Sequence, residues 1–134
     1  MRHLLLSVLL LPLLFCVSCS QSPDVQGLWK NTNGETLTFN ADSTVMMGME
    51  GVEGGLPGRF SVDRDTVRIT TLPAVDELGE YTNEYMLAMR EERLQLVSFS
   101  LVRGSDYPMT FVADLAKRLR KSESDYAFSR VESK

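Results

Sequence analysis

The chain is poor in the side chains that most often carry catalysis or bind metals. Its one histidine is His3, and its two cysteines, Cys16 and Cys19, also lie near the N-terminus. The sequence after Cys19 contains no imidazole and no thiol. This excludes the serine–histidine and cysteine–histidine arrangements that activate a nucleophile, and it removes the commonest ligands of zinc and copper. We therefore expect no metal and no cofactor.

The carboxylates give no better sign of catalysis. Neighbouring acids occur at Asp63 and Asp65, and again at Glu91 and Glu92. Both pairs lie in predicted hairpin turns open to water, whereas a catalytic pair needs burial that drives its two pKa values apart. The acidic patch at residues 76–80 has no calcium-loop pattern. We therefore expect no enzymatic activity.

The balance of charge also excludes one class of partner. The formal net charge is −4 at pH 7, whereas nucleic-acid binding depends on Lys and Arg side chains that neutralise phosphates. The only basic cluster, KRLRK at residues 117–121, fits a solvated helix face. We expect no nucleic-acid partner.

The N-terminal residues have the pattern of a secretory signal. Met1, Arg2 and His3 precede the apolar run LLLSVLLLPLLFCV at residues 4–17. A basic start, an apolar run and small residues are the three parts of such a peptide. A retained transmembrane helix is the alternative, but the run contains Pro12 and is shorter than the roughly 20 residues that span a bilayer.

The residues before Cys19 resemble the bacterial lipobox, in which small residues precede a cysteine that receives lipid. Val17 and Ser18 match this pattern, while Cys16 stands where leucine is usual. One alternative is a redox CxxC pair, which needs a folded scaffold that lowers a thiol pKa. Another is lipidation of Cys16, which would put the large Phe15 at the cleavage position.

The lipobox resemblance implies a domain organisation and an address. Residues 1–18 are expected to form the lipoprotein signal peptide, residues 19–25 a tether and residues 26–134 one domain. Acyl chains on Cys19 anchor a protein stably in a membrane. Ser20, in place of aspartate, implies the outer membrane by the sorting rule of enteric bacteria. The expected location is the cell envelope, with the membrane bound through lipidated Cys19.

Alternation of polar and apolar residues predicts antiparallel hairpins along most of the chain. A first strand begins near Trp29, and a last strand covers residues 126–131. About eight short strands with regular turns predict an all-β fold, either a barrel or a sandwich. Of these we expect a small antiparallel up-and-down barrel, because closure leaves no unpaired edge. The three hairpins are predicted at residues 35–49, 59–70 and 84–101, with turns at residues 40–43, 63–65 and 90–92.

Two segments depart from the strand pattern. GMEGVEGGLPG, at residues 48–58, has five glycines and a proline, and it predicts either a plain flexible connection or a loop over a binding cavity. In residues 110–121, Phe111, Leu115 and Leu119 recur every four positions. This spacing predicts one short helix near the C-terminus.

GLWKNTNGETLTFNADSTVMM at residues 27–47 and GRFSVDRDTVRITT at residues 58–71 resemble a small lipocalin-like domain of bacterial lipoproteins. In that group Gly-x-Trp opens the first strand and an arginine often lies in the closing strand, and Gly27, Trp29 and Arg130 match. Barrel closure would bring Trp29 and Arg130 together in a cation–π contact of roughly 0.5–2 kcal/mol. The alternative role of Trp29 is to stack on a ligand.

The leading functional hypothesis is a binding module, because eight-stranded barrels enclose room for one small ligand. Methionine suits adaptable apolar pockets, although the same residues can fill an ordinary core. The second hypothesis is a docking module that binds another envelope protein by a sheet edge or loops. The candidate ligand-lining residues are Phe39, Met47, Met49, Phe60, Tyr85 and Met89.

Overall fold

The computed structural model describes residues 22–103, 107–111 and 126–133, and the side chains of residues 107–111 are not among the features described. These residues form ten β-strands and no α-helix. The strands are β1 (Gly27–Lys30), β2 (Glu35–Phe39), β3 (Thr44–Met49), β4 (Leu56–Asp63), β5 (Thr66–Thr71), β6 (Ala74–Asp76), β7 (Gly79–Arg90), β8 (Arg93–Arg103), β9 (Tyr107–Phe111) and β10 (Ala127–Arg130).

Eight of the strands close into an antiparallel up-and-down barrel, as the sequence predicts. The ring runs β1, β2, β3, β4, β5, β7, β8 and β10, and β10 pairs back onto β1. Every pairing is antiparallel, and ring neighbours follow chain order once β6 and β9 are set aside. The all-β prediction and the barrel prediction are both confirmed.

The two remaining strands extend the sheet beyond the ring. β7 and β8 are the longest strands, and β6 pairs with the first residues of β7 while β9 pairs with the last residues of β8. We call β6, β9 and the paired ends of β7 and β8 the sheet extension. The β7–β8 register shifts between Met86 and Leu87, which leaves Val97 as an additional residue in β8. Such a bulge bends a strand and increases its twist.

The core follows from alternation along the strands. Leu37 and Phe39 of β2 and Val67 and Ile69 of β5 are buried, while residues between them are more exposed. Successive side chains point to opposite faces of a strand, so one set from every strand fills the barrel. On β4 the buried position is Gly58, which contributes no side chain to the core. A side chain would not fit there, since an added Cβ would lie 2.8 Å from the carbonyl oxygen of Thr70.

One end of the barrel is closed by the first and last described strands. Trp29 is 1% exposed, and Arg130 is its direct partner across β1 and β10. The Arg130 guanidinium carbon lies 4.8 Å from the centre of the indole, which confirms the predicted cation–π contact. The same guanidinium donates hydrogen bonds to the carbonyl oxygens of Asp24 and Gln26, the latter at 2.9 Å.

Val25 completes this closed end. It is 2% exposed, belongs to the core, and its carbonyl oxygen accepts a 2.8 Å hydrogen bond from the Trp29 indole. The sequence assigned Val25 to the tether, whereas the packed structure includes it. The turns at residues 40–43, 63–65 and 91–92 lie at the same end, each at the position expected from the sequence.

The sequence did not predict the sheet extension. The short strand β6 and the early start of β7 were not identified, and Thr110 and Phe111, assigned to the predicted helix, belong to strand β9. The rest of that predicted helix, residues 112–121, lies outside the described residues. Within the described part of the chain, no helix has the length and apolar content needed to cross a bilayer.

Candidate ligand-binding cavity

A cavity of about 420 Å³ opens at the end of the barrel opposite Val25 and Trp29. Binding pockets for small molecules usually have roughly 300–1,000 Å³, so this one lies in the lower part of that range. An apolar protein cavity of about 150 Å³ holds one benzene. By that comparison the cavity has room for a ligand of roughly seventeen carbon-sized atoms.

The floor of the cavity is formed by four buried apolar side chains from four strands. They are Leu37 of β2, Ile69 of β5, Leu87 of β7 and Phe128 of β10. Each belongs to the inward-facing set of its strand, and each strand continues beneath it into the packed core. The floor therefore offers dispersion and hydrophobic contacts but no hydrogen-bonding group.

The walls add side chains that are partly exposed. Met47 and Met49 of β3, Tyr85 of β7 and Leu96 of β8 line the cavity beside the floor residues, with Tyr126 immediately before β10. Met49 is 50% exposed, which places it near the opening. A ligand would meet buried apolar side chains together with the more adaptable methionine and tyrosine side chains of the walls.

A polar turn shapes one side of the opening. Asn31, 5% exposed, follows β1, and its side-chain oxygen accepts hydrogen bonds from the backbone N–H groups of Asn33 and Glu35 at 3.0 and 2.9 Å. Its amide nitrogen also donates to the Glu35 carboxylate. Asn31 thus fixes the β1–β2 turn and orients Glu35, which lines the cavity.

The β3–β4 loop, Glu50–Gly55, forms the other side of the opening. Val52, Glu53, Gly54 and Gly55 line the cavity, and the Glu50 N–H donates to the Gly34 carbonyl oxygen at 2.8 Å. Gly55 packs so closely on β3 that an added Cβ would lie 2.6 Å from the Met47 carbonyl oxygen. The glycine-rich segment therefore borders a cavity, which the sequence left as one of two alternatives.

Electrostatics at the opening are set by acids and phenols. Burial raises the pKa of the Tyr85 phenol, and the negative charge of Glu35 raises it further. Glu35 and Glu53 are the ionisable carboxylates among the described lining residues, and no lysine, arginine or histidine is among those residues. The charged side chains among the described lining residues are therefore both acidic.

The structure brings together three of the six side chains proposed from the sequence. Met47, Met49 and Tyr85 line the cavity. Phe39 is buried beneath it and makes an edge-on contact with Phe60, with ring centres 4.8 Å apart. Met89 packs against the core near the closed end, where its N–H donates to the Asp65 carbonyl oxygen.

Three floor residues, Leu37, Ile69 and Leu87, were missed because the predicted lining was confined to aromatic and methionine side chains, and Phe128 was missed although it lies in the predicted last strand. Leu37 stands two positions from Phe39, and Ile69 two positions from Val67, so alternation already placed them on the inward face. What alternation does not give is the height of each residue along the barrel. Phe39 and Leu37 share a face, yet only Leu37 reaches the cavity.

The sheet extension carries a second polar cluster, away from the cavity lining. Asp76 of β6 forms a bidentate ion pair with Arg103 of β8, including a 2.6 Å bond from Nη1 to Oδ1. Hydrogen bonding from Arg103 lowers the pKa of Asp76 to about 2. The guanidinium also lies over the Tyr81 ring at 5.1 Å. These contacts link β6 to β8 across β7.

The described residues show no group of three or more histidine, cysteine, aspartate or glutamate side chains arranged to hold a metal ion. Comparisons with protein families, with curated proteins and with solved structures found no significant match. The site must therefore be interpreted from its own geometry.

Proposed function

We propose that this domain binds a small apolar molecule in the barrel cavity, and that the protein is a lipoprotein of the bacterial cell envelope anchored through Cys19. The observation that supports binding is the open cavity of about 420 Å³ over an apolar floor. A barrel without a ligand role can fill its interior with side chains. Here the inward-facing residues pack densely at one end and leave space at the other.

The expected strength of binding follows from the size of the ligand that the cavity can hold. Burying apolar surface contributes roughly 25 cal/mol per Å², and drug-sized ligands reach about 0.3 kcal/mol per non-hydrogen atom. A ligand of roughly seventeen atoms would thus bind with about 5 kcal/mol, a dissociation constant near 0.1–1 mM.

The first experiment is native mass spectrometry of soluble protein comprising Ser20–Lys134, purified from its own host. This form retains Val25 and all later residues of the packed barrel. We expect a co-purifying apolar molecule, and its loss when Leu87→Trp fills the floor. The Val75→Trp variant, which adds the same side chain at an exposed position on β6, should retain it.

Protein without ligand under mild conditions, together with no binding of added apolar probes, would contradict the proposed function. Cavity binding would also be rejected if ligand were bound equally by the native protein and a folded Leu87→Trp variant.

A second candidate function is docking of another envelope protein. It is favoured by apolar side chains on the sheet extension and the segment leading to it: Leu72, Val75 and Leu78 are 48%, 76% and 80% exposed. Within the described strands, β6 pairs only with β7, so its other edge is available for strand addition. Cross-linking in intact envelopes from a reactive group at residue 78 tests this candidate, with the same group at Arg68 as a control.

A further inference from the structure

The charged side chains among the described residues that line the cavity have one sign. Glu35 belongs to β2 and Glu53 to the β3–β4 loop, so two separate elements each bring a carboxylate to the cavity lining. Lys30, on the neighbouring strand β1, is already paired with Glu50. Among the described lining residues there is no basic side chain to compensate Glu35 and Glu53.

Glu35 is held in place by the surrounding structure. Its backbone N–H and its carboxylate both bond to the side chain of Asn31, which is itself buried. The effect of its charge reaches into the cavity, because that charge raises the pKa of Tyr85 on the opposite wall-forming strand. Fixed charge costs less reorganisation when a ligand binds than a mobile side chain does.

Aromatic rings line the same cavity as these carboxylates. Tyr85 and Tyr126 line the cavity together with Glu35 and Glu53, and Phe128 lies in the floor. The face of an aromatic ring attracts a cation, and this attraction is strongest where water is excluded. Carboxylates and ring faces favour the same kind of ligand group.

We propose that the cavity binds an amphiphile with a cationic end, an alkyl amine or alkyl ammonium, with its chain on the floor and its cation between Glu35, Glu53 and the tyrosine rings. This inference rests on the proposed function, since it specifies the ligand of the same cavity. The apolar cavity binds the alkyl chain, and the carboxylates determine the sign of the charged end that the ligand can carry. A fatty-acid carboxylate at the same position would face two like charges without a compensating base among the described lining residues.

The test compares three probes with the same ten-carbon chain and different ends: decyltrimethylammonium, decanol and decanoate. Each displaces a neutral fluorescent naphthylamine from soluble Ser20–Lys134 at low ionic strength, below its micelle concentration. Exposed ion pairs each contribute modestly, so two carboxylates together should make the ammonium bind about tenfold more tightly than the alcohol. Decanoate should bind about tenfold more weakly than the alcohol, and added salt should reduce both differences.

The double variant Glu35→Gln, Glu53→Gln removes the two charges and retains side-chain size. The glutamine carbonyl oxygen at position 35 can still accept a hydrogen bond from Asn31, so the turn is preserved. All three probes should then bind within about threefold of one another. The matched control is Glu132→Gln, which removes one exposed carboxylate after β10 near the closed end and should leave the tenfold preference unchanged.

The outcomes separate the two levels of the proposal. Equal binding of all three probes to the native protein would overturn the cationic ligand and leave the apolar cavity in place. A preference for the ammonium that persists in the double variant would overturn the role of Glu35 and Glu53. Failure of all three probes, and of the naphthylamine itself, would reject the proposed function and the inference together.

Discussion

Replacement of Arg130 should measure how much the closed end contributes to the stability of the barrel. Its guanidinium lies over Trp29 and donates two hydrogen bonds to backbone carbonyl oxygens of the N-terminal segment. Because Arg130 itself is exposed, we use the lower part of the energy range for each of its interactions. The cation–π contact contributes about 0.5–1 kcal/mol and each hydrogen bond about 0.5–1 kcal/mol. Arg130→Gln should therefore lower the free energy of unfolding by about 2 kcal/mol.

Arg130→Lys separates the two contributions. Lysine retains the positive charge beside the indole but lacks the planar fork that reaches both carbonyl groups at once. We expect it to lose about 1 kcal/mol. Arg68→Gln is the control, because Arg68 is an exposed residue on the outer face of β5, between the buried Val67 and Ile69.

The assay is urea denaturation followed by tryptophan fluorescence. Trp29 is the only tryptophan in the chain, so the signal reports on the closed end itself. In a domain of this size a loss of 2 kcal/mol lowers the melting temperature by roughly 8 °C. The reasoning would be refuted if Arg130→Gln and Arg68→Gln unfolded at the same urea concentration with unchanged slope.

Three other predictions concern the sheet extension, the cavity opening and the anchor. Asp76 should titrate near pH 2 by NMR, because hydrogen bonds from Arg103 lower its pKa. The stabilisation of the fold by this ion pair should be fully present above pH 3.8 and should be lost as the pH falls through 2. Arg103→Gln should return its titration towards the ordinary value of 3.8. Gly55→Ala should displace the loop from Met47 and weaken probe binding about tenfold, a loss of roughly 1.4 kcal/mol. Cys19→Ala should release the protein from membranes into the soluble fraction; a processed chain that stays membrane-bound would contradict the lipoprotein assignment.

The barrel could be predicted because its strands and turns are determined by short stretches of sequence. Alternation along β2 and β3, with the turn at residues 40–43, fixes both strands and their pairing. The contact between Trp29 and Arg130 was predictable for a different reason, since closure of a meander brings its first and last strands together. Neither prediction requires knowledge of how side chains pack in three dimensions.

The sheet extension and the exact cavity lining could not be predicted in this way. β6 has three residues, too few for alternation to be recognised. The ion pair of Asp76 with Arg103 joins residues that are distant in sequence. It forms because β7 pairs with both of their strands, β6 and β8. The cavity lining depends on how strands are staggered around the ring, which determines that Leu37 reaches the opening side while Phe39 does not.

The position of Val25 at the closed end affects the side from which a ligand would enter the cavity. A flexible linker of four residues, the number between Cys19 and Asp24, whose carbonyl oxygen accepts a hydrogen bond from Arg130, spans about 11 Å. Eight-residue β4, tilted as barrel strands are, rises roughly 20 Å. If Cys19 carries the proposed lipid, so short a linker would hold the closed end towards the bilayer, and the opening would face the aqueous compartment. Cargo would then be exchanged with carriers or partners in solution, and not by lateral entry from the leaflet that holds the anchor.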